Sequence, residues 1–94
     1  MKKIKRKWVE ELYQARSDWR KTYQDAGYQE TEEERNAYNV ICEKRHVFEN
    51  ELSAAEVYAM CCFIISIIEE GEFAKLSLSR LIKCLEVCGI EVEE

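Results

Sequence analysis

The sequence predicts an all-α protein, a compact four-helix bundle with a buried apolar third helix. Three observations carry this. Proline is absent and there are only three glycines among 94 residues, so little breaks a helix and few residues favour tight β-turns. Apolar side chains recur at steps of three and four along most of the chain. Two Ser/Thr-x-x-Glu patterns, each ahead of an apolar-periodic stretch, read as helix starts.

The first helix is expected over 4–26, where Ile4, Trp8, Leu12, Ala15, Trp19, Tyr23 and Ala26 form one stripe. Gly27 should end it in a left-handed conformation, with Tyr28 folding back on Tyr23 as in a Schellman cap. The second helix is expected over 32–52. Thr31 would cap it and Glu34 would reach back to close a capping box, while Glu32 and Glu33 suit the positive helix end. Its stripe is Tyr38, Ile41, Arg45, Phe48 and Leu52, with the Arg45 stem lying along the apolar edge and its head in water.

Ser53 and Glu56 form the second capping box and open a helix over 54–70. Val57, Tyr58, Met60, Phe63, Ile64, Ile65, Ile67 and Ile68 leave it no polar face of useful width. The β-branched run 63–68 competes as a strand, but the upstream cap and the stop at Gly71 favour helix. A last helix is expected over 77–88, with Leu78, Leu81, Ile82, Leu85 and Cys88 inward, Gly89 as terminator and Ile90 closing on Leu85. The acidic tail 89–94 reads as loose.

Composition narrows the function classes. The longest apolar run, 57–68, is far shorter than the ~20 residues that cross a bilayer, so no membrane role is expected. Five cysteines, an odd number, and an N-terminus that runs straight into a helical pattern point to a reducing, cytoplasmic setting. Residues 1–27 hold eight Lys or Arg against four Asp or Glu, whereas residues 28–94 hold six against fifteen. The chain is therefore acidic, net −5, with one basic end, and direct nucleic-acid binding is not expected.

No enzymatic constellation emerges. Cys42 with His46, and Cys84 with Cys88, are i, i+4 pairs that share a helix face and could supply zinc ligands. They lie on different helices and lack the short Cys-x₂-Cys loops of zinc modules, so neither a metal nor any other cofactor is expected. Glu43-x-x-His46 matches half of a di-iron pattern that needs two such motifs, and the chain has one histidine. Cys42 and His46 have no third group to orient them as a catalytic pair.

What remains is a surface. Arg6, Tyr13, Arg16 and Arg20, with Lys2, fall near one line of the first helix, away from the Trp8 and Trp19 stripe, and Trp, Tyr and Arg dominate binding hot spots. A solvated charged face is the plainer account of the same row. The all-round apolar third helix asks for a cover that so short a chain struggles to supply, which marks Ile64 and Ile68 as further contacts. The expected function is a non-enzymatic protein–protein interaction module, an adaptor or inhibitor of a larger protein, or a homodimer. Small bacterial immunity and phage anti-defence proteins, which offer carboxylates where a partner expects phosphates, are an analogy of type for it. The alternatives are a nucleic-acid-associated regulator, working through the basic face of the first helix or through Ser79, Arg80 and Lys83, and a small helical metal-binding protein.

Overall fold

Gly27 and Tyr28 both take positive φ, 66° and 63°, and turn the chain sharply after its first helix. In the computed structural model, which describes residues 2–70 and 74–94 and the side chains of 2–69 and 78–94, this turn is a complete Schellman motif. Tyr28 N–H donates to the Tyr23 carbonyl (2.9 Å) and Gly27 N–H to that of Gln24 (3.0 Å), while the Tyr23 and Tyr28 rings meet edge to face at 5.7 Å.

The elements run β1 (Lys2–Lys5), α1 (Arg6–Asp25), α2 (Glu32–His46), α3 (Ala54–Glu70), α4 (Ala74–Val87) and β2 (Ile90–Glu93). The described residues are predominantly helical and form four helices. Gly71, the expected stop of α3, lies outside the described residues. α4 begins at Ala74, earlier than the expected 77.

The two strands correct the sequence expectations at both ends. Ile4 opens no helix, and the acidic tail is not loose. β1 and β2 pair in parallel with Lys2 opposite Ile90, Lys3 opposite Glu91, Ile4 opposite Val92 and Lys5 opposite Glu93. Inward-facing Ile4 and Ile90 are 1% and 3% exposed, and the outward register sets lysines against glutamates. Lys3 Nζ lies 3.7 Å from Glu91 and 3.8 Å from Glu93, and Arg6 reaches Glu94 at 3.1 Å. Burial of two isoleucines and charge pairing across the ladder fix a segment whose local sequence carries no turn or hairpin signal.

α1 and α2 form an antiparallel hairpin: Trp19 near the end of α1 meets Tyr38 and Glu34, while Trp8 near its start meets Phe48 edge to face at 5.9 Å. α2 ends at His46 rather than 52. From there Phe48 N–H bonds to the Arg45 carbonyl and Glu49 N–H to that of His46, i→i−3 bonds that tighten the chain and still leave Phe48 and Leu52 buried.

Ser53 and Glu56 make the expected capping box in both directions, at 3.2 and 2.9 Å, and Lys2 adds an ion pair to Glu56. The first box is completed in one direction only. Thr31 Oγ1 accepts from Glu34 N–H at 3.1 Å, but the Glu34 carboxylate turns away to accept the Trp19 indole N–H at 2.7 Å. Glu34 is thereby the one buried charged residue among those described. A charged acceptor for a half-buried indole outweighs one exposed cap bond.

The core is one cluster drawn from every element, including Ile4, Leu12, Phe48, Met60, Ile64, Leu81, Leu85 and Ile90. α3 contributes a single stripe to it, Val57, Met60, Ile64 and Ile67, with Cys61 and Ile68 half-buried alongside. α3 packs on α4 and lightly on α1, and α4 packs on β2. Within this chain, then, α3 is buried on one side only. Its opposite side stands open.

Candidate functional site

Where α1, α2 and α3 meet, side chains that sequence spacing had assigned to separate stripes converge on one cavity of about 140 Å³. Its wall is apolar: Leu12 and Trp19 from α1, Tyr38 and Ile41 from α2, Ile64 and Ile65 from α3. Two guanidinium groups, Arg16 and Arg45, and the thiol of Cys61 complete it.

Arg16 is held by its neighbour one turn away, with its Cζ 4.3 Å from the centre of the Trp19 ring, inside cation–π range. That stacking presses part of the guanidinium out of water. Its Nη1 is shielded from solvent and has no hydrogen-bond partner, and burial pushes the Arg16 pKa below its ordinary value. Arg20, one turn further, is different. Its Nη1 lies 2.7 Å from Glu69 Oε1, a close ion pair without hydrogen-bond geometry. Cys61 stands in the field of both Arg16 and Arg45, yet burial dominates and raises its thiol pKa, so the group stays neutral.

The other contact candidates are distributed unevenly. Arg6 is taken up by Glu10 (2.8 Å) and Glu94. Trp8 and Tyr13 are half-buried against the core, with Lys5 Nζ 5.7 Å above the Trp8 ring. Ile64, expected as a partner contact, is 1% exposed and belongs to the chain's own core, because the inward stripe of α3 runs through it. Ile68 is half-buried against that core. The cavity thus unites Arg16, Trp19 and Ile64 and leaves out Arg6, Trp8, Tyr13, Arg20 and Ile68.

Leu12, Tyr38, Ile41, Arg45, Ile65 and Cys61 are the cavity residues that spacing did not mark as contacts. One signal for them was present: Arg45 interrupts the apolar stripe of α2. A charge on a core stripe needs either a route to water or a pocket, and the half-buried Arg45 stands at a pocket.

The outward side of α3 is the second feature. Ala55, Ala59, Cys62 and Ser66, spaced four, three and four, run down its middle and are all exposed. Tyr58 (68% exposed) and Ile65 (38%) border this seam on one side and Phe63 (37%) on the other. From Ala54 to Ser66 the only charged residue is Glu56, which is turned toward Lys2 and Ser53.

Much of the basic charge at the start of the chain is paired internally: Lys2 pairs with Glu56, Lys3 with Glu91 and Glu93, Lys7 with Glu11, and Arg6 and Arg20 as above. Among the described residues no three His, Cys, Asp or Glu side chains cluster closely enough to hold a metal ion. His46 Nδ1 lies 3.1 Å from Glu49 on an exposed surface. No described helix is long and apolar enough to cross a membrane. No family model matches this chain, and no curated protein or solved structure matches it.

Proposed function

We propose that this chain is a non-enzymatic protein-interaction module, an adaptor or inhibitor whose docking surface is the outward side of α3, and that its first occupant is a second copy of the chain. The observation that carries the reading is the uncharged seam described above. Small residues at Ala55, Ala59, Cys62 and Ser66 follow the four–three alternation of a coiled-coil seam and permit close approach of a second helix. The bulky row of Tyr58 and Ile65 on one copy then lies over the small row of the other, and no charge is buried. Leaving Tyr58, Phe63 and Ile65 wet forgoes part of the roughly 1.5–3 kcal/mol that each large side chain contributes on burial. A third helix covered on all sides, as composition suggests, is in this reading a property of the assembly.

The internal pairing of Lys2, Lys3 and Arg6 supports protein over nucleic acid as partner, because cations already matched by carboxylates release few counterions from a phosphate backbone. The test is the mass in solution of the wild-type chain and of Ala59→Glu. We expect a dimer at micromolar concentration, and for A59E a monomer with unchanged helical circular dichroism, since a desolvated carboxylate without a partner weakens association at least roughly a hundredfold. A wild-type chain that stays monomeric to about 1 mM overturns the self-docking reading.

A further inference from the structure

Every arginine of α1 is described, and they divide sharply. Arg6 and Arg20 each face a carboxylate, at 2.8 and 2.7 Å. Arg16 has none in contact. The nearest carboxylate field is that of Glu69, which is engaged by Arg20. On α2, Lys44 pairs with Glu11 at 3.6 Å, while Arg45, beside it, has no carboxylate partner among the described residues. In a chain with 19 acidic residues against 14 basic ones, these two guanidinium groups, neither paired with a carboxylate, border the same cavity.

That cavity is shaped for more than a counterion. Leu12, Ile41 and Ile64 give it an apolar floor, the Trp19 ring a flat wall, and its volume is about 140 Å³. Cavities of about 150 Å³ lined by aliphatic side chains accept a benzene ring. Arg16 Nη1, shielded and without a partner, supplies a donor of the kind that buried sites seldom leave unused. Cys61, in the field of both arginines, offers no competing negative charge.

We propose that this cavity binds a small amphipathic carboxylate, a ring or short hydrocarbon chain seated against Leu12, Ile41 and Ile64 with its carboxylate held between Arg16 and Arg45. The apolar part gains burial and the carboxylate completes the hydrogen bonding of Arg16, so that neither half alone binds as well as the two joined. The site shares only Ile65 with the outward seam of α3, and a monomeric chain would still carry it.

The test titrates the full chain with 3-phenylpropionate, its neutral isostere 3-phenylpropanamide, and acetate, read by calorimetry and by amide chemical shifts. We expect the phenylpropionate to bind with Kd of about 1 mM or tighter and at least tenfold more tightly than the amide or acetate, the margin a charge-assisted pair gives. Shifts should centre on Arg16, Trp19, Ile41 and Cys61. Arg16→Met and Arg45→Met, which keep the apolar stems, should each weaken phenylpropionate at least tenfold and leave the amide unchanged. Equal binding of acid and amide on the wild-type chain, no binding of the acid at about 10 mM, or shifts located elsewhere would overturn the proposal, and none of these depends on a variant folding.

Discussion

Replacing Ile90 by alanine should destabilise this protein by about 3 kcal/mol. The side chain is 3% exposed, lies in the tail, and faces the core together with Ile4. The substitution removes three carbon groups at about 0.8 kcal/mol each and leaves a cavity that a four-residue strand cannot fully close, which places the cost within the ~2–5 kcal/mol of buried Ile→Ala changes. Set against a total stability of about 5–15 kcal/mol, the loss is large. The assay is urea unfolding followed by circular dichroism. With a slope near the low end for small proteins, about 1 kcal/mol/M, the midpoint should fall by roughly 3 M. Glu91→Ala and Glu93→Ala, on the exposed face of the same strand, should each cost less than about 0.5 kcal/mol. Val92→Ala, half-buried opposite Ile4, should fall between. A double-mutant cycle of Ile4→Ala with Ile90→Ala should show coupling of at least about 0.5 kcal/mol. A loose tail predicts instead a cost below about 0.5 kcal/mol for Ile90→Ala and strict additivity with Ile4→Ala, and either result would refute the strand pairing.

Three further outcomes follow from single contacts. Glu34→Ala leaves the half-buried Trp19 indole without its 2.7 Å acceptor and should cost about 1.5–3 kcal/mol in the same unfolding assay, with Glu34→Gln recovering more than half of it. The Glu56 carboxyl, bonded to Lys2 and Ser53, is lowered from 4.5 to about 2, so its contribution is present above the ordinary carboxylate pKa and is lost as pH falls from about 4.5 toward 2. Urea midpoints measured over that window should therefore drop more for the wild-type chain than for Glu56→Gln, and parallel curves would disprove the assignment. With a thiol reagent at pH 8 and no denaturant, Cys84 and Cys88, both exposed and outside the seam of α3, should react first. Cys61, half-buried and with its thiol pKa raised by burial, should lag by at least roughly tenfold, as peptide mapping of the labelled chain would show.

The sequence by itself determined what is local. The stop at Gly27 with Tyr28 folded on Tyr23, the complete box of Ser53 and Glu56, and the extent of α3 from 54 to 70 all rest on residues within a few positions of one another. Tertiary structure decided whatever depends on distant partners. Lys2–Lys5 continues the pattern of a helix until Ile90–Glu93, 88 positions away, supplies a parallel strand, and four-residue strands carry too little periodicity to announce themselves. Thr31 and Glu34 spell a capping box that the Trp19 indole half dismantles.

The candidate site was legible in part for the same reason. Arg16 and Trp19, on one stretch of α1, were visible together, whereas Arg45 and Cys61 joined them only through the packing of α2 and α3. Apolarity told that α3 needs burial but not on which side, because an all-round apolar helix has no pattern to orient it. The core of this chain settled that with Val57, Met60, Ile64 and Ile67, and so turned Ala55, Tyr58, Ala59 and Cys62 outward.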